Sequence, residues 1–142
     1  MNIVKLFDNG EWCTITFRLL GDELPLLEIE DKLNLDADKV IAKGQPLCDN
    51  ENSAEATTNI WTWDLPNRGN TVEMEDQLID FLEVFEPRKS ALSAILSNSQ
   101  TRAELFIGYG LPEDSQGRFM ITHELQRRLA DLKINLSFDL YC

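Results

Sequence analysis

Apolar and polar positions divide this chain into segments with two periods. Cys13, Ile15, Phe17 and Leu19 alternate with Thr14, Thr16 and Arg18, a period of two that predicts a half-buried strand. Residues 3–7 predict a strand before it, and Asp8-Asn9-Gly10 between them is a hairpin turn. Pro25 opens a helical segment in which Leu26, Ile29 and Leu33 form the apolar stripe, ending near Asn34. Residues 39–43 read as a short strand closed by Gly44, and residues 60–65 as another, with Trp61, Trp63 and Leu65 on one face. A turn at residues 66–69 leads into a long helix over residues 71–85, whose buried stripe is Met74, Leu78, Phe81, Leu82 and Phe85. Pro87 stops or kinks it, and residues 88–96 form a shorter helix with Leu92, Ile95 and Leu96 inward.

The last third repeats both periods. Ala103, Leu105, Ile107 and Tyr109 alternate in a strand, residues 110–117 read as a hairpin loop, and residues 118–121 as the return strand. Thr122 is then an N-cap, Glu124 sits in the first turn where the helix dipole favours an acid, and Leu125, Leu129 and Leu132 make one stripe. From Ile134 the period returns to two: Ile134, Leu136, Phe138 and Leu140 face one way, and Asn135, Ser137, Asp139 and Tyr141 the other. Hairpins with grouped helices predict an α+β fold, a two-layer sandwich of a largely antiparallel twisted sheet with about three helices packed on it. Residues 13–43 and 118–141 both read strand, helix, strand, with Ile29/Leu33 echoed by Leu125/Leu129, so the halves are a candidate pseudo-duplication.

Length and composition fit a single domain over residues 1–142 with its own core. Apolar runs of only a few residues predict no transmembrane helix, and the first residues lack the basic and apolar blocks of a secretory signal. With three widely spaced cysteines, Cys13, Cys48 and Cys142, and no C-x-x-C, the expectation is a cytoplasmic protein with reduced thiols. A net charge of −12, from 25 acids and 13 bases, argues against nucleic acid or an anionic membrane as partner and favours a basic protein.

Little in the chain offers catalysis. His123 is the only histidine and falls in the first turn of the last helix, where capping or surface exposure explains it. One histidine and three scattered cysteines make poor zinc-ligand material, and Gly108-Tyr109-Gly110 is an isolated G-x-G. No metal, cofactor or catalytic residue is expected. Partner binding has more support. Glu73, Asp76, Asp80 and Glu83 recur at helical spacing opposite the apolar stripe, and no Lys or Arg interrupts residues 72–86. A face made for solubility mixes signs at i,i+4 spacing, whereas here Asp76 and Asp80 repel. Residues 45–59, containing Asp49 and Glu51, read as a polar, acidic loop that only Leu47 would anchor, mobile or partner-binding. Trp61 and Trp63 on one face are core residues or a ligand platform.

The run G-R-F-x-I-T-x-E-L-x-x-R-L-A-D-L-x-I-x-L-x-F-D-x-Y, Gly117 to Tyr141, resembles the end of a small bacterial family catalogued as domain of unknown function 4279. The likeness continues upstream through Phe17, Gly21 and the Pro25 helix, Lys43-Gly44, the Trp61/Trp63 strand and Leu78, Leu82 and Glu86-Pro87, and covers nearly the whole chain. These motifs are structural, and the resemblance implies no catalytic residues. Small size, acidity and single-domain form are shared with bacterial immunity proteins, an analogy rather than a derivation. The sequence therefore leads to the expectation of a non-enzymatic, acidic immunity protein that neutralises a basic toxin, a nuclease first among them, by blocking its active site. The alternative is a regulatory domain binding a small molecule or peptide on the Trp61/Trp63 face.

Overall fold

The computed structural model describes residues 12–66, 73–110 and 119–141. Five strands, β1 (Trp12–Gly21), β2 (Lys39–Ile41), β3 (Asn59–Asp64), β4 (Arg102–Gly110) and β5 (Ile134–Tyr141), form one sheet in the order β2-β3-β1-β4-β5. All neighbours are antiparallel except β4 and β5, which run parallel. Four helices accompany them: α1 (Ile29–Leu33), α2 (Met74–Phe85), α3 (Lys89–Ile95) and α4 (His123–Asp131). The α+β sandwich expected from the sequence is the observed architecture.

Strand parity decides which side is buried. Cys13, Ile15, Phe17 and Leu19 of β1, Trp61 and Trp63 of β3, Ala103, Leu105, Ile107 and Tyr109 of β4, and Ile134 of β5 share one cluster with the buried stripes of all four helices. The helices thus lie on one face of the sheet. Phe85 is central, with ring centroids 4.4 Å from Phe17, 4.5 Å from Phe81 and 5.4 Å from Trp63. Opposite parities put Trp12, Thr14, Thr16, Arg18, Phe106 and Tyr141 on the other face, where no described helix packs.

Breaks in the helices fall at named residues. Asn34 takes the left-handed conformation (φ 54°) that closes α1. Pro87 falls in a 3₁₀ turn, Glu86–Arg88, between α2 and α3. Arg88 then braces both sides of that turn, donating from Nε to Leu33 O and from Nη1 to Val84 O, each at 2.7 Å, so it satisfies end carbonyls of α1 and α2 together. Thr122 caps α4 as expected, its Oγ1 accepting from Leu125 N at 3.2 Å.

Several expectations change. The return strand at residues 118–121 is absent from its described part: β4 has β1 on one side and β5 on the other, leaving no edge for a hairpin partner. The closing unit is instead β4, α4 and β5, a parallel pair with a helical crossover. Helix α1 begins at Ile29, four residues later than Pro25, because residues 25–28 form a turn in which Glu28 N donates to Pro25 O at 2.9 Å. The candidate duplication of residues 13–43 in 118–141 is not observed as drawn: residues 119–122 form no strand, so the second unit keeps only α4 and β5, and β3 lies between β1 and β2 whereas β5 pairs with β4. The strand expected at residues 3–7 with its turn, the turn at 67–69, the first two residues of the long helix and the loop at 111–117 lie outside the described residues.

Candidate partner-binding surfaces

Helix α2 carries the predicted acidic stripe. Its apolar side is buried as the period requires, and Gln77 joins it, donating from Nε2 to Cys13 O at 3.3 Å. On the outer side Glu73, Asp76 and Glu83 are exposed and Asp80 is half-buried. Glu73 is the N-cap, without a side-chain capping bond, and Asp76 lies in the first turn, where both charges suit the helix dipole. The last turn holds no base. Its neighbours differ: Glu28 and Lys32 pair at 3.7 Å along α1, and Arg127 and Asp131 at 3.9 Å along α4.

The stripe is not isolated from positive charge. Arg128 of α4 grips Glu86 just past the end of α2, with Nη2–Oε1 at 2.5 Å and Nε–Oε2 at 3.1 Å. This hydrogen-bonded pair holds the Glu86 carboxyl below its ordinary range, and raises the Arg128 guanidinium. Glu83 also lies close enough to favour charged Arg128. The part of the face away from that grip carries Glu73, Asp76 and Asp80.

Asp49 and Glu51 lie elsewhere. Both are exposed and line an open hollow of about 540 Å³ with Lys39, Val40, Ile41, Pro46 and Cys48, against strand β2. That hollow is lined by β2 and the loop after it, not by α2. Their loop is not the unanchored segment expected. Gly44 N and Ala56 N bond to Ala56 O and Gln45 O, Leu47 N to Ala54 O, and Pro46 bridges Glu55. Cys48 N donates to Ser53 Oγ at 2.8 Å, Asn50 Oδ1 accepts from Asn52 N, and Ala56 is buried. Polar hairpin bonds give this segment its shape, and hydrophobic period could not show them.

Trp61 and Trp63 do not form a platform. Trp61 is 0% and Trp63 8% exposed, packed against Phe17 and Phe85. Burial of the large rings outweighs display, so the two rings belong to the core. The indole N–H of Trp61 has no acceptor among the described residues, an orphan donor within the apolar cluster.

Two further surfaces went unread in the sequence. A polar hollow of about 490 Å³ lies beyond the end of β1, lined by Asp22, Glu23, Thr57, Thr58, Gln100 and Arg102. There a hydrogen bond from Thr58, and next one from Lys43, hold the Asp22 carboxyl below its ordinary range. The other is the open sheet face. Arg18 lies 4.2 Å above the Phe106 ring and 4.0 Å from Glu104, and Thr16 donates to Asp64 at 2.7 Å. Trp12 lies across the Cα atoms of two glycines: a Cβ on Gly110 would collide with its Nε1. Glycine gives the ring that seat, and its centroid rests 5.2 Å from Tyr141. Alternation assigns residues to this face but cannot say that, among the described residues, no helix packs on it.

His123 is exposed at the start of α4, Cys13 is buried in the core and Cys48 is exposed. Among the described residues no group of three or more His, Cys, Asp or Glu side chains could hold a metal ion, and no helix is long and apolar enough to cross a membrane.

An α+β sandwich whose described helices lie on one sheet face, one of them with acids of a single sign on its outer side, defines a class of small acidic domain. Residues 11–142 match the family described as domain of unknown function (DUF4279), and the chain belongs to that family. No curated protein and no solved structure matches it significantly.

Proposed function

We propose that this chain is a non-enzymatic, cytoplasmic binding protein that captures a basic protein through the outer face of α2. The observation that carries the reading is the contrast between helices: α1 and α4 carry i,i+4 ion pairs, whereas α2 has no Lys or Arg in its sequence and sets Asp76 and Asp80 four residues apart on its outer side. Like charges at Asp76 and Asp80 cost the isolated helix a few tenths of a kcal/mol, about 0.2–0.5. A docking surface gives that cost a purpose. The partner class that fits best is a nuclease toxin. Its active site is cationic because it holds phosphate, and a row of carboxylates can occupy it in place of that phosphate. The chain would then act as the toxin's immunity protein, with Asp49 and Glu51 as a secondary acidic contact.

The test is titration calorimetry against the product of the neighbouring gene, where that product is basic. Asp76→Asn, Asp80→Asn and Glu83→Gln together should weaken binding at least about tenfold, which is 1.4 kcal/mol, and flatten its dependence on salt. Unchanged affinity and salt slope would exclude this face.

A further inference from the structure

We infer that the outer edge of β5 is an interface between two copies of this chain, joined through antiparallel strands into one continuous sheet. β5 is the last strand of the sheet, bonded to β4 on one side and to no strand on the other among the described residues. An unpaired edge is a template for another strand, so proteins shorten it, charge it, kink it or cover it. The opposite edge follows that rule. β2 has three residues and begins at Lys39, whose Nζ is tied to Leu47 O at 2.9 Å. β5 has eight residues, no Lys, Arg or Pro, and one acid, Asp139.

Burial also fails along β5. Ile134 is 7% exposed, but Phe138 on the same side is 38% and Leu140 54% exposed. Phe119 stacks on Phe138 with centroids 5.6 Å apart, and Met120 is 60% exposed. Phe119, Phe138 and Leu140 thus place exposed apolar surface beside an unpaired backbone edge. They supply the apolar centre of an interface that in standard form takes about 800 Å² from each partner.

Charge selects the occupant. A basic partner would find one carboxylate on this strand, whereas in a chain of net charge −12 it is a nearly neutral edge that a second copy can approach. Register agrees. Directly opposed residues of an antiparallel pair share a face, so a two-fold axis must pass through a residue rather than between two. Centred on Phe138, the axis sets Phe138 against its own copy and Leu136 against Leu140. On the other face Asp139 meets Ser137, so the one charge does not oppose itself.

Sedimentation velocity of the full chain over a micromolar range tests this. The mass should rise from 16.3 kDa to twice that, and salt should tighten the dimer, since screening relieves repulsion between two acidic bodies. Leu140→Lys and Phe138→Lys should each weaken dimerisation at least about tenfold, with far-UV circular dichroism confirming the fold, whereas Val40→Lys on the other edge should change nothing. A monomer at every concentration, growth beyond two copies, or a dimer that Leu140→Lys leaves intact would overturn the inference. The interface is separate from the acidic face of α2, and salt acts oppositely on the two, so either reading can fail alone.

Discussion

Arg88 shows how much one residue can hold without contributing to the hydrophobic core. Its guanidinium bonds to carbonyls of Leu33 and Val84, fixing the end of α1 against the end of α2. Hydrogen bonds from a charged donor are worth about 1.5–3 kcal/mol, and removal strands their acceptors. Arg88→Ala should therefore destabilise the chain by about 2–3 kcal/mol in urea unfolding. Arg88→Lys should restore less than half, because one ammonium cannot reproduce the planar fork. Nothing at Glu86-Pro87-Arg88 advertises this role: a basic residue after a proline reads as surface. The same blindness applied to the tryptophans. Alternation put Trp61 and Trp63 on one face correctly, but whether that face met water depended on α2, whose Phe85 closes over it.

At the scale of elements, period made the helices and most strands legible, while pairing was not encoded in period at all. β4 was recognisable from Ala103 to Tyr109, yet its partners are β1 and, reached through α4, β5, rather than the segment nearest in sequence. The acidic side of α2 was equally legible, and it leads to a prediction with two readouts. Asp80→Lys replaces a repulsive i,i+4 pair with an attractive one in its better orientation, acid before base. It should raise stability by about 0.5–1 kcal/mol, a few degrees in melting temperature, while weakening capture of a basic partner. A stabilised variant that binds as well as the parent would show that the face is only solvated.

The contact between α2 and α4 titrates. Glu86 is held below its ordinary value of 4.5 by Arg128. A carboxyl depressed on folding adds stability above its unfolded value and loses it as pH falls through the folded one. Melting curves from pH 7 toward 3 should therefore fall more steeply for the parent chain than for Glu86→Gln. The difference stays small, about 0.2–1 kcal/mol, because both side chains are partly exposed. Parallel curves would mean that the pair adds nothing.

For the whole molecule, the position of β1 matters in time as well as in space. β1 is the first strand described and sits in the middle of the sheet, between β3 and β4. Its register with β4 joins Trp12 to Gly110 and Leu20 to Arg102. When β1 leaves the ribosome, the strand that covers its second side has not been made. At about 5–20 residues per second, the intervening length of chain takes roughly 5–20 s to synthesise. Through that interval Cys13, Ile15, Phe17 and Leu19 wait beside an unfilled edge. The nascent chain is thus a client for whatever shields exposed strands during translation, and truncation before β4 should yield aggregate rather than a smaller folded domain.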